Sequence, residues 1–174
     1  AVGRCPAGAT NDPPARLRFE MSTTPQFKSP PAHLEAAQKE LAKLPLLGPA
    51  LWLYARDSQR RFTFLADNDW RLMPPLVLDQ CRLFSRVDLP WAFVTWAFVS
   101  DAVDQRLRSV APVIAPHEWR SGEHAWLVDV VAPFGNAEEV GKETIAAVAP
   151  GKAVCGWLNG PDGRAVLKEF RPND

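Results

Sequence analysis

Apolar residues at helical spacing predict two helices near the start of the chain. The first helix should begin near His33 and end at Pro45, because proline lacks the N–H group that continues a helix. Its apolar face is formed by Leu34, Ala37, Leu41 and Leu44. The second helix should run from Pro49, in its first turn, to about Gln59.

Longer apolar and β-branched runs predict the strands. Residues 91–99 are apolar on both faces, which is typical of a strand inside a sheet. The other predicted elements are short helices over 70–73 and 76–80, strands over 81–85 and 124–132, helices over 101–108 and 136–148, and a hairpin of strands 152–158 and 165–171. The pattern predicts an α+β fold in which helices flank a mainly antiparallel central sheet.

The chain has two compositionally different parts. Residues 1–32 hold many of the 17 prolines and little apolar periodicity, so we expect a disordered Pro-rich arm. Met21 resembles a natural start, and residues 1–20 are interpreted as an addition to the native chain. Residues 33–174 are expected to form a single domain, because this length can bury one core.

Charge and cysteine usage exclude several classes of protein. Twenty basic residues balance twenty acidic ones, which argues against a general nucleic-acid binder. Cys5, Cys81 and Cys155 are too widely spaced for a disulfide framework or a metal site. No apolar run approaches the ~20 residues of a membrane span, and no secretory signal is apparent, so a cytoplasmic location is expected.

One carboxylate stands out, because Asp129 lies within the apolar run from Leu127 to Val131. An ionised group in such surroundings loses hydration and needs either a partner or a shifted pKa. This cost is often accepted where the carboxylate has a function. The alternative is an aspartate at a strand end that faces solvent or caps a neighbouring loop.

Three segments of the chain resemble the RTX toxin-activating lysine acyltransferases. In the first, the matching residues are Trp119, Ser121, Gly122, Glu123, Trp126, Asp129, Ala132, Pro133, Phe134 and Gly135. Residues 48–55 resemble the opening Gly-x-x-x-Trp-Leu helix of the family, and residues 90–100 resemble its Pro-x-Ala-x-x-Ser-Trp-Ala strand. The resemblance covers roughly residues 46–171, with the segments in the same order.

The resemblance implies an acyltransferase fold related to the GNAT superfamily, and a homodimer. It implies transfer of a fatty acyl group from acyl carrier protein to a lysine of a partner protein, with no bound cofactor. Asp129 stands at the position of the catalytic aspartate of the family, and Arg56 and Arg61 are candidates for binding the acidic carrier. Ser121, Gly122 and Glu123 are expected to shape a turn.

One departure from the family pattern concerns its catalytic histidine, because Arg60 stands at that position, eight residues after Trp52. A guanidinium stays protonated and offers no lone pair, so Arg60 cannot act as a base or nucleophile. Arg60 is therefore either a solvated residue at a helix end or the partner of Asp129 in a salt bridge. In the salt-bridged case, Asp129 alone would be left to act as a weak base towards the incoming lysine.

The three histidines of the chain offer no evident replacement. His33 is assigned to the first helix and His117 to a surface turn. His124 is five residues from Asp129, and an odd separation predicts opposite faces of a strand.

These features leave three functional hypotheses. The first is a cytoplasmic lysine acyltransferase that activates a toxin or similar partner. The second is a catalytically inactive relative that serves as a protein-binding adaptor or regulator, as the residue at position 60 suggests. The third is an unrelated α+β interaction domain, in which case the three matching segments would be coincidental.

Overall fold

The computed structural model of the protein describes residues 32–63, 65–109, 113–159 and 164–171. The predicted arm over residues 1–32 lies outside them, apart from Ala32. In the described part of the chain, no helix is both long enough and apolar enough to cross a membrane.

The first two predicted helices form a single helix, α1, which spans Ala32–Tyr54 and contains both Pro45 and Pro49. The predicted end at Pro45 is therefore wrong, and so is the extension to Gln59. Each proline removes one intrahelical hydrogen bond, which leaves the carbonyl groups of residues 41 and 45 without their usual N–H partner. Both residues are exposed, so water can bind these carbonyl groups instead. Burial of the last turn, including Leu53 and Tyr54, holds the helix together beyond the prolines.

Two short helices follow a 3₁₀ turn over Leu65–Asp67. The first, α2, spans Asn68–Arg71, and the second, α3, spans Met73–Val77. Both begin before the positions predicted for them. Pro74 and Pro75 lie in the first turn of α3, where a missing N–H group costs no hydrogen bond.

Five strands form one sheet in chain order. They are β1 (Cys81–Arg86), β2 (Leu89–Val99), β3 (His124–Val131), β4 (Val154–Asn159) and β5 (Ala165–Phe170). The sheet is mixed, because β3 and β4 pair in parallel while the other neighbours pair antiparallel, and this corrects the expectation of a mainly antiparallel sheet. The reason is the helix α5 (Ala137–Val148), which returns the chain to the end of the sheet at which β3 began.

Helices cover both faces of the sheet. Ala92 and Val94 of β2 pack with α5, whereas the alternate residues Phe93 and Ala97 pack with α1 and with α4 (Asp101–Ser109), respectively. Neighbouring residues of a strand point to opposite faces, so α1 and α4 share the face opposite α5. The predicted α+β architecture is confirmed, as are the two strands, the two helices and the hairpin expected after residue 90.

Candidate functional site

A β-bulge in β3 directs Asp129 towards α1. Thr95 of β2 pairs with Asp129, but the next residue, Trp96, pairs with Leu127, so Val128 is an extra residue in β3. Ala125 and Leu127 pack on the α5 face, and strict alternation would place Asp129 beside them. The extra residue moves Asp129 to the face that carries α1.

The carboxylate of Asp129 is surrounded by hydrogen-bond donors. Tyr54 donates its hydroxyl to Oδ2 at 2.8 Å, and Arg71 donates Nε–H to the same oxygen at 2.8 Å. Arg60 approaches Oδ1 with both Nε and Nη2, each at 2.7 Å. The backbone N–H of Asp129 is donated to the Thr95 hydroxyl at 3.2 Å. Asp129 is only 2% exposed, so these groups replace the water that it loses.

These contacts decide which groups are charged. Burial alone would raise the pKa of Asp129, but Arg60 and Arg71 hold it below its usual value. Burial and the negative charge of Asp129 raise the pKa of Tyr54 well above its usual value. The site therefore contains an ionised carboxylate, a neutral phenol and two guanidinium cations. With four donor contacts and a lowered pKa, Asp129 is a poor proton acceptor.

A local turn positions Arg60 after the end of α1. The carboxylate of Asp57 accepts the backbone N–H groups of Gln59 and Arg60 at 3.0 and 3.1 Å. The same carboxylate lies 3.7 Å from Nη1 of Arg60. The Arg60 side chain is only 15% exposed, so the interpretation as a solvated arginine is wrong, and the alternative salt bridge to Asp129 is formed.

Two members of the site were missed by sequence reasoning. Arg71 ends the short helix α2, 58 residues before Asp129, and nothing in its local spacing distinguishes it from a surface arginine. Tyr54 is the single tyrosine of the chain and lies in the last turn of α1 beside Trp52. The only sequence signal for its role was a hydroxyl at the end of an apolar helix, because a buried hydroxyl needs a hydrogen-bond partner.

His117 and His124 lie away from this carboxylate. His124 binds Oδ1 of Asp101 through Nε2 at 2.6 Å, at the opposite end of β3, and His117 is exposed in a 3₁₀ turn. The prediction that His124 and Asp129 face opposite sides of β3 is wrong, because the bulge at Val128 changes the alternation between them. Neither His117 nor His124 donates to or accepts from Asp129.

Arg56 and Arg61 lie on the protein surface. The guanidinium of Arg56 lies 3.6 Å from the ring centre of Trp52, and that of Arg61 lies 4.7 Å from the ring centre of Phe62. Neither forms a salt bridge with a described residue. Their role in binding acyl carrier protein stays a prediction.

Part of the motif around Asp129 has a structural role. The Ser121 hydroxyl accepts the N–H of Ser100 at 3.0 Å and donates to the carbonyl of Glu118 at 2.9 Å. A Cβ atom on Gly122 would lie 2.5 Å from the carbonyl oxygen of Val99, so only glycine fits. The predicted turn over these residues is confirmed.

Known proteins with similar sequences belong to the family that this motif resembles. Residues 39–169 match the model of the RTX toxin acyltransferase family. The chain is 33% identical over 111 residues to lysine-acyltransferase RtxC of Vibrio cholerae, covering 63% of this chain and 70% of that protein. It is 28% identical over 93 residues to the protein-lysine myristoyltransferase HlyC of Escherichia coli, covering 53% of this chain and 55% of the relative.

A third relative is the leukotoxin-activating lysine-acyltransferase LktC of a Pasteurella haemolytica-like strain, 31% identical over 96 residues, which cover 53% of this chain and 56% of the relative. The match with HlyC and with LktC thus spans just over half the length of each of these relatives. Because the family model covers most of the chain, the protein belongs to the RTX toxin acyltransferase family.

Proposed function

We propose that this protein transfers a fatty acyl group from acyl carrier protein to a lysine side chain of a partner protein, in the cytoplasm and without a bound cofactor. Family membership supports the reaction class. The observation that carries the proposal to specific residues is the buried Asp129, which holds two guanidinium groups at one site. The GNAT-type fold and the homodimer belong to the same proposal.

The reaction requires a neutral amine and a stabilised oxyanion. The lysine nitrogen attacks the thioester carbonyl, an oxyanion forms, the C–S bond breaks, and an amide and a thiol result. The lysine ammonium must first lose a proton to solvent. Arg60 and Arg71 are both held by Asp129, and Asp57 also lies near Arg60. Cations close to an incoming lysine lower the pKa of its ammonium group.

In this proposal the guanidiniums of Arg60 and Arg71 stabilise the oxyanion. Arg71 uses only Nε in its hydrogen bond to Asp129, so its terminal nitrogens are available on the described surface. Asp129 contributes by fixing both guanidiniums in place, because preorganised donors lose little free energy when the oxyanion forms. It does not act as a base, since its four contacts leave no room for the lysine proton.

The test is intact-mass analysis of lysine-bearing RTX toxin fragments incubated with this protein and myristoyl-loaded acyl carrier protein. The expected result is the mass gain of one acyl group per modified lysine, with release of the carrier thiol. An Asp129→Ala variant should lose both signals. Thioester that stays intact, with no mass gain on any fragment, would contradict the proposal.

The second candidate function is a non-catalytic relative that binds its partners. The observation that favours it is the saturation of Asp129 by donors, with neither His117 nor His124 among them. An Arg60→His substitution separates the two functions. In a non-catalytic relative, this substitution should introduce transfer that the unmodified protein lacks, whereas in the proposed enzyme the unmodified protein is already active.

A further inference from the structure

Three aromatic rings form a row on the surface, with an arginine at each end. The ring centres of Trp52 and Phe134 are 5.9 Å apart, and those of Phe134 and Trp91 are 5.3 Å apart. Arg56 lies 3.6 Å from the ring centre of Trp52, and Arg86 lies 4.3 Å from that of Trp91. These five residues are called the arginine–aromatic stack. Phe134, in its middle, is 41% exposed.

The two arginines of the stack are not neutralised by carboxylates. Elsewhere on the described surface, cations are commonly paired, as Arg82 is with Glu143 and Lys152 with Glu123. Arg56 and Arg86 form no salt bridge with any described residue, and both are exposed. A guanidinium over an aromatic ring keeps its charge and its N–H groups at the ring edge available to carboxylates.

The stack and the candidate site share two segments of the chain. Trp52 precedes Tyr54 by half a turn of α1, and Arg56 lies in the turn that leads to Arg60. Phe134 follows the end of β3, five residues after Asp129. A partner on the stack would therefore contact the end of α1 and the segment after β3, the two segments that also carry Tyr54 and Asp129.

We propose that the arginine–aromatic stack is the docking surface for a protein with a carboxylate-rich face, which under the proposed function is the acyl carrier. Three rings separate the two guanidiniums, an arrangement that fits separate carboxylates on a folded surface better than one small anion. Exposed aromatic and arginine side chains are enriched in protein interfaces, and complementary charge accelerates association. Glu139 and Glu143 line the same cavity as Arg86 and Trp91. Glu143 is paired with Arg82, and neither glutamate forms a salt bridge with Arg86.

Binding can be measured without turnover by fluorescence anisotropy of labelled, myristoyl-loaded acyl carrier protein. Arg86→Ala and Arg56→Ala should each raise Kd by about tenfold, as expected of an interface hot spot. The matched control is Arg82→Ala, because Arg82 also lies on β1 and over a ring, that of Phe84 at 4.6 Å, but already has a carboxylate partner. Arg82→Ala should change Kd by less than about twofold.

Either of two binding results would contradict the proposed docking surface. One is an unchanged Kd for Arg86→Ala in a variant whose circular dichroism and thermal unfolding match those of the unmodified protein. The other is equal weakening by Arg82→Ala and Arg86→Ala, which would show a diffuse charge effect. Added salt should weaken binding of the unmodified protein more than binding of Arg86→Ala.

The docking inference rests on the proposed function, but the two fail differently. If acyl transfer is absent while carrier binding depends on Arg86, the docking surface stands and the transfer proposal fails. If transfer proceeds and Arg86→Ala leaves the KM for the carrier unchanged, the docking surface is wrong and the transfer proposal stands.

Discussion

Asp129 and Asp104 are both buried aspartates that accept hydrogen bonds from an aromatic side chain and an arginine, but they differ in where those partners come from. Asp104, 8% exposed, accepts from Nε1 of Trp126 and from Nε of Arg108, each at 2.8 Å. Arg108 is four residues away on the same helix and its side chain is 40% exposed. The arginines that bind Asp129 come from two other segments and are more buried.

This difference separates a structural contact from a candidate site. Asp104 attaches α4 to β3 by accepting the Trp126 N–H. Its ion pair with Arg108 is local to α4 and solvent-screened, a common feature of helix surfaces. Burial would raise the pKa of Asp104, but Arg108 and Trp126 lower it. Asp129 instead holds two cations, one of which also lies near Asp57. Guanidinium groups held in place in this way are suited to an anion, such as a reaction oxyanion.

Among the single substitutions that test this comparison, Asp129→Asn is expected to lower the free energy of unfolding the most. The substitution removes the carboxylate that two largely buried guanidiniums share, and it turns an amide N–H₂ towards other donors. We expect a loss of about 3–5 kcal/mol in the free energy of unfolding, measured by urea denaturation, together with loss of acyl transfer. Asp104→Asn is the matched control and should cost clearly less. Equal costs would remove the distinction between the two aspartates.

The same variant should alter the acid sensitivity of the protein. The pKa of Asp129 is lower in the folded protein, so its ionised form stabilises the fold above the unfolded pKa of about 3.9. This contribution is lost as the pH falls through the folded-state pKa. The free energy of unfolding should therefore fall more steeply with acidification in the unmodified protein than in Asp129→Asn. Parallel curves would contradict the assigned charge.

A smaller loss of stability is expected when Arg60 or Arg71 is removed. Arg60→Ala or Arg71→Ala should each cost about 1.5–3 kcal/mol, because the remaining guanidinium still neutralises Asp129. The double variant should cost more than the two single costs combined, since it leaves a buried carboxylate without a cation. A double-mutant cycle in urea measures this coupling. Additive costs would show that the two arginines do not share the carboxylate.

Tyr54→Phe should have a more modest effect, about 1–2 kcal/mol, because it removes one hydrogen bond to a carboxylate that keeps both arginines. Tyr54 is the single tyrosine, so tyrosinate absorbance reports on it alone. Its pKa is raised in the fold, so the neutral phenol stabilises the protein below the unfolded pKa of about 10 and this contribution is lost as the pH rises through the folded-state pKa. Tyrosinate that appears near pH 10 in the folded protein would contradict this burial.

The smallest effect is expected for Arg108→Ala at Asp104. The guanidinium is partly exposed, and Asp104 keeps the Trp126 N–H, so the loss should be about 0.5–1 kcal/mol and should decrease in high salt. Acyl transfer should be unchanged. A loss as large as that of Arg71→Ala would show that local and long-range partners stabilise buried aspartates equally here.

Sequence patterns were sufficient for elements whose signal is local. The apolar run before Val99, the amphipathic α4 and the hairpin of β4 and β5 follow from periodicity and turn residues. Pro45 misled the prediction, because packing of the following turns outweighs one missing hydrogen bond. The parallel pairing of β3 and β4 was overlooked, although a strand, a helix and a strand in succession are typical of it.

The sequence by itself determined that Asp129 is a carboxylate in an apolar strand and that position 60 carries a permanent cation. It thereby required Asp129 to find a partner and excluded Arg60 as a base, since both follow from residue chemistry. Only the tertiary structure decided which partners meet. The bulge at Val128 sets the face of Asp129, and the packing of α1 and α2 brings Tyr54 and Arg71 to it across 75 and 58 residues. No local pattern records such contacts, because their free energy is gained only when the sheet and helices have assembled.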